Sequence, residues 1–154
     1  MAGHTENLMK KRADEVKEPA ELPSGDWELR CAGGKYNENE DYDPDNANSA
    51  RYIANLMFVP VKPVANVEED LVADGAWRGK TLFKRFYIRG DADLWELNKV
   101  FSGLGIDISG RDYDELFAVA KNRTGVATIG LRTFKRRTGE TGKENTLTDF
   151  RQSA

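Results

Sequence analysis

The stretch TLFKRFYIRG, residues 81–90, alternates apolar and basic or aromatic side chains with a period of two. A β-strand sends successive side chains to opposite faces. Leu82, Lys84, Phe86 and Ile88 then share one side, and Phe83, Arg85, Tyr87 and Arg89 share the other. The first set is mostly apolar and reads as a core face. The second sets two rings and two guanidinium groups on the opposite face of a chain whose formal net charge is -3.

Working outward, DADLWELNKVFSGLG follows at once. Asp91 or Asp93 can cap a helix whose apolar stripe is Leu94, Leu97, Val100, Phe101 and Leu104, closed by Gly103 or Gly105. RDYDELFAVAKNR predicts a shorter helix burying Leu116, Phe117 and Ala120. GVATIGLRTFKRR reads as a strand with Gly130, Arg132, Phe134 and Arg136 on one face. Residues 138–142 read as a turn, and ENTLTDFRQ as a closing strand.

Upstream, ANVEEDLVADGAWRGK is a connector and RYIANLMFVPVKPV a strand that Pro60 and Pro63 end or place at an edge. LPSGDWELRC opens the ordered part, with Trp27, Leu29 and Cys31 on one strand face. Residues 33–49 contain almost no aliphatic side chains and predict an acidic surface loop. Residues 1–21 predict a flexible polar N-terminal arm, and residues 22–154 a single domain. Five strands with helices between the third and fourth is the order of a small OB-type β barrel. Helices are too few for a doubly wound sheet.

Charge is unevenly placed. Residues 1–75 carry eight Lys and Arg against sixteen Asp and Glu, whereas residues 76–154 carry fifteen against ten. An anionic ligand therefore has one favourable half to bind. Neither a secretion signal nor a membrane span is expected, and the single cysteine, Cys31, fits a reducing cytoplasm.

LPSGDWELR, RGKTLFKRFYI, a helix ending in FSGLGID, GVATIGLR and a closing GKENTLTDFR, taken in that order, resemble a family of bacteriophage OB-fold single-stranded-DNA-binding proteins. The likeness covers roughly residues 22–151. Its signatures fall at Leu22, Pro23 and Gly25, at Gly79, Lys80, Leu82 and Phe83, and at Gly142, Lys143 and Asn145. The resemblance implies non-catalytic, largely sequence-independent binding of single-stranded DNA in phage replication or recombination. It also implies action in the host bacterial cytoplasm beside other phage or host replication or recombination proteins. Two departures stand out: the long acidic stretch at 33–49, and a close in LTDFRQSA where many single-strand binders carry an acidic tail.

Single-strand binding needs cations for the backbone and flat rings for the bases. Arg85 and Arg132 are the expected phosphate contacts and Tyr87 and Phe134 the expected stacking rings, with Arg89, Arg136 and Lys143 peripheral. Lys135, Arg136 and Arg137 form a basic cluster running into a turn, which suits phosphates better than bases. Trp77 either stacks a base or plugs the barrel end. Phe83 and Phe134 could instead be core residues. Asp41, Asp43 and Asp45 alternate as in a calcium loop, but Asn46 replaces the needed glycine and Tyr52 the closing glutamate. His4 and Cys31 are alone of their kinds, so no zinc site or Cys–His pair can form within one chain. No enzyme, metal or cofactor is expected. The alternative reading is a protein-interaction module whose acidic loop contacts a host or phage protein. RYIANLMFV, read as an edge strand offering Met57 and Val59, suggests a homodimer.

Overall fold

The computed structural model describes Met9 and residues 21–153; the rest of the arm expected at residues 1–21 lies outside them. Five strands, β1 (Gly25–Glu38), β2 (Tyr52–Ala65), β3 (Leu82–Ile88), β4 (Thr124–Lys135) and β5 (Thr141–Arg151), form one antiparallel sheet in the order β3-β2-β1-β4-β5. Between β2 and β3 lie the single-turn helix α1 (Glu69–Val72) and a 3-10 turn (Ala76–Gly79). Helices α2 (Asp91–Gly103) and α3 (Tyr113–Ala120) both fall between β3 and β4, as the sequence predicts.

The fold is mainly β, and the sheet is not closed: among the described residues no ladder joins its two edges, β3 and β5. The edges nevertheless approach each other. Lys84 Nζ on β3 donates a hydrogen bond of 2.7 Å to the Leu147 carbonyl on β5. Helix α2 packs against both strands near this seam.

The inward side chains build one core. Trp27, Leu29 and Cys31 on β1 meet Leu56 and Phe58 on β2 and Leu82 and Phe86 on β3, closed below by Leu97, Val100 and Phe101 of α2 and Leu116 and Phe117 of α3. Gly105, at φ 77°, supplies the left-handed residue that ends α2, and Ile106 N then donates back to the Phe101 carbonyl. Asp112 caps α3 by accepting from Glu115 N at 2.9 Å. Cys31 is a small, fully buried core side chain, and burial raises the pKa of its thiol.

Two expectations fail here. β1 does not give way to a loop at residue 33 but continues to Glu38, paired with β2 throughout. A register shift between Cys31 and Gly33, with Gly33 at φ 136°, bends the strand there, and only a glycine adopts that backbone readily. Nor is β2 an edge strand. It lies between β1 and β3, so the edge that would support a homodimer through Met57 and Val59 is occupied over residues 52–58. Pro60 and Pro63 sit in the half of β2 that extends beyond β3, where a missing N–H breaks no ladder with that strand.

Candidate nucleic-acid interface

Strand register places three outward rungs side by side across β1, β2 and β3. They are Gly33–Met57–Phe83, Lys35–Asn55–Arg85 and Asn37–Ile53–Tyr87. Phe83 is 62% exposed and Tyr87 45%, while Phe86 between them is 9% exposed in the core. The alternation read from residues 82–88 thus places the two faces correctly. Phe83 and Tyr87 are four residues apart, about 13 Å along the strand, with Arg85 midway.

The central rung is polar and basic. Arg85 Nε donates to Asn55 Oδ1 at 2.9 Å, which orients the guanidinium across the sheet. Among the described residues, neither Arg85 nor Lys35 forms an ion pair with a carboxylate. Their charge remains available to a phosphate. A shallow depression between Gly33, Lys35, Asn55, Met57, Phe83 and Arg85 follows this rung, and the glycine leaves it open at one side.

A second basic surface is the far half of the β4–β5 hairpin. Every residue from 131 to 141 is exposed, so this ribbon has no core face. On one of its faces Arg132 is ion-paired with Glu144, its cross-strand partner. Phe134 lies over Gly142, where an added Cβ would come within 2.6 Å of the ring, and the Arg136 guanidinium is 5.7 Å from the ring centre. The opposite face carries Thr133 paired with Lys143 and Lys135 paired with Thr141. Among the described residues neither lysine has an acidic partner. Arg137 lies in the turn at the tip.

The ten expected site residues fall on different elements. Arg85 and Tyr87 belong to the rungs of the sheet; Arg132, Phe134, Lys135, Arg136, Arg137 and Lys143 belong to the ribbon. β2 and β1 separate β3 from β4 in the sheet. The ribbon's base is tied towards the start of β3 by contacts that run through the N-terminal side of β1. Leu22 N donates to Asn145 Oδ1 at 2.8 Å, Asn145 Nδ2 donates to the Leu22 and Gly130 carbonyls, and Lys80 pairs with Glu21 at 2.8 Å. Leu22, Lys80 and Asn145, picked out in the sequence as signature positions, thus fasten the fold.

Two expected site residues have other work. Trp77 is buried; its ring packs edge-on against Trp27 at 5.1 Å and its Nε1 donates to the Val72 carbonyl at 3.1 Å. It belongs to the core and offers no face to a base. Arg89 is a strut: its Nε donates to the Asn48 carbonyl at 2.9 Å and its Nη1 lies 3.6 Å from Asp93. It pins the acidic loop, residues 39–51, against the start of α2.

That loop is built from Asx turns. Asn39, Asp43 and Asn46 each accept, through the side chain, the N–H two residues on. Among the described residues no cluster of His, Cys, Asp and Glu is arranged to hold a metal. No helix among them is long and apolar enough to cross a membrane.

Sequence reasoning left Lys35, Asn55 and Phe83 out of the expected site. Phe83 was legible from its place in the alternation. Lys35 was hidden because GGKYNE has no apolar period, and Asn55 because its partner on β3 is known only from the register. No protein-family model and no curated protein matches the chain.

Proposed function

We propose that the sheet is an OB-type barrel left open between β3 and β5, and that it binds single-stranded DNA without catalysis and with little regard to sequence. The observation that carries this reading is the outer face of β1–β2–β3. Two exposed rings, Phe83 and Tyr87, flank a rung that holds Arg85 and Lys35, which have no carboxylate partner among the described residues. Rings stack any base and cations follow the backbone, which together make a sequence-tolerant platform. The strand order β3-β2-β1-β4-β5, with helices between β3 and β4, supports the barrel assignment, since the second and third strands of such barrels carry the ligand face. A role in phage DNA replication or recombination, in the host cytoplasm, is part of the proposal and rests on the likeness of the signature segments.

The test is an anisotropy titration with a labelled, unstructured oligonucleotide at low salt, repeated as salt rises. Binding that weakens steadily with salt, as counterion release requires, supports the reading. No binding at low salt ends it.

A second reading has one observation in its favour. The loop at 39–51 is held in a defined shape by its own turns and by Arg89, yet presents the exposed carboxylates of Glu40, Asp41 and Asp45. An interaction module would use such a surface against a basic host or phage protein. Recovery of one such protein from nuclease-treated host lysate, lost when these three residues become Asn or Gln, would favour this reading over the first.

A further inference from the structure

The β4–β5 ribbon differs from the sheet platform in a way that matters for what it can hold. From Gly130–Thr146 to Lys135–Thr141 it runs through six cross-strand pairs beyond the last pairing of β4 with β1, which is Gly25 with Ile129. At the usual rise that is roughly 20 Å of two-stranded ribbon, of which the four pairs from Arg132–Glu144 outward, roughly 13 Å, lie beyond the tie of Asn145 to Leu22. Its cations are distributed all round: Arg132 and Arg136 on one face, Lys135 and Lys143 on the other, and Arg137 at the tip. Residues 131–144 hold these five basic residues against two carboxylates, Glu140 and Glu144.

A single strand lying on a protein meets cations from one side. Charge on both faces and the tip of a projecting ribbon instead matches a ligand that surrounds it with phosphate on two sides. The major groove of duplex DNA is such a ligand: about 12 Å wide and 8.5 Å deep, it admits a two-stranded β-ribbon between two phosphate walls. The face bearing Lys135 and Lys143 also carries Thr133 and Thr141 and no aromatic ring. It offers charge and hydroxyls to a backbone but nothing on which an unpaired base could stack.

We propose that the β4–β5 ribbon enters the groove of duplex DNA, so that the protein favours a junction between single-stranded and duplex DNA over a single strand alone. The proposal rests on the single-strand reading for the other arm of the junction. The sheet platform takes the unpaired strand, and the ribbon takes the duplex from which it emerges. The contacts are to phosphates, so the preference is for structure and not for sequence.

The experiment compares the full chain on three labelled DNAs: an unstructured single strand, a duplex carrying that same strand as a tail, and the blunt duplex. Wild type should bind the tailed duplex about tenfold more tightly than the single strand, with a salt slope steeper by about one unit for each added phosphate contact. The double variant Lys135→Gln, Lys143→Gln changes only exposed side chains, and its melting temperature verifies that it is folded. It should bring the tailed-duplex advantage down to about twofold or less while its affinity for the single strand alters by less than about threefold, as peripheral phosphate contacts would. Equal wild-type affinity for the tailed duplex and the single strand overturns the proposal. So does an equal loss on both DNAs in the variant, which would return the ribbon to the single strand. Loss of single-strand binding alone, with blunt-duplex binding still dependent on the two lysines, would remove the platform reading and keep the ribbon assignment.

Discussion

Phe86 and Tyr87 are adjacent in sequence and opposite in environment, the first in the core and the second 45% exposed beside Arg85. Truncation should separate their roles. Phe86→Ala opens a cavity in the core and should cost about 3 to 5 kcal/mol of stability. Tyr87→Ala should leave melting nearly unchanged and weaken oligonucleotide binding by about 1 to 3 kcal/mol, the worth of one stacked base. Phe83→Ala, now placed on the same face, should behave as Tyr87→Ala does. Thermal melts and titrations on all three decide it; early melting of Tyr87→Ala with normal binding by the folded fraction would reverse the faces. These positions were legible because β3 lies with one face on the core, so burial and sequence share a period. Trp77 was not legible. It sits in a turn with no period, and only its edge-on contact with Trp27 distinguishes a core ring from an exposed one.

At the scale of elements, the sequence reading failed where a strand runs beyond the core. Gly33 to Glu38 form the far half of β1, mostly exposed and paired in the sheet with β2 alone, so the segment lacks the apolar alternation by which a strand is recognised. Helix α3 reaches it at Tyr36, whose OH donates to Asp114 Oδ1 at 2.7 Å and whose ring lies 5.7 Å from that of Phe117. The far half of the β4–β5 hairpin is similar: with no buried face, alternation there carries no information about direction, and Arg132 proves to be paired with Glu144. The ribbon is oriented from its base, where the Asn145 side chain makes three hydrogen bonds, two with the Leu22 backbone and one to Gly130. Asn145→Ala leaves those partly buried backbone groups without partners. At about 1 kcal/mol for each bond, it should cost about 2 to 3 kcal/mol. It should also speed amide hydrogen exchange at Leu22 and along residues 130–135 ahead of the rest of the sheet. Uniform exchange across all five strands would show that Asn145 supports the whole fold and not the ribbon in particular.

For the whole molecule, an open sheet must be held in its curve by side chains that link strands beyond the ladders, and two titratable groups do this, one with its pH window in acid and the other in alkali. Asp26 on β1 accepts from Thr128 Oγ1 of β4 at 2.9 Å and pairs with Arg151 of β5 at 3.2 Å. The Thr128 hydroxyl, helped by the Arg151 guanidinium against the cost of burial, lowers its pKa from the ordinary 3.8. A depressed carboxylate contributes stability that is complete above 3.8 and is lost as pH falls through its folded value. The melting gap between wild type and Asp26→Asn should therefore be full near neutrality and close in acid. Lys84, at the seam between β3 and β5, has the same sign in the alkaline range, but there it is the charged form that the fold disfavours. Burial, only partly offset by Glu96, lowers its pKa from 10.5. The unfolded chain therefore binds the proton more tightly, and the folded state gains stability as pH rises through the folded value towards 10.5. Deprotonation does not break the seam, because a neutral amine still donates to the Leu147 carbonyl. Lys84→Met removes both the buried charge and that bond, and with them this pH dependence. Paired melts from pH 7 upward should show wild type gaining on Lys84→Met as the solution becomes alkaline, whichever protein melts higher at neutrality. A constant difference across that range would mean that the fold does not disfavour the Lys84 charge.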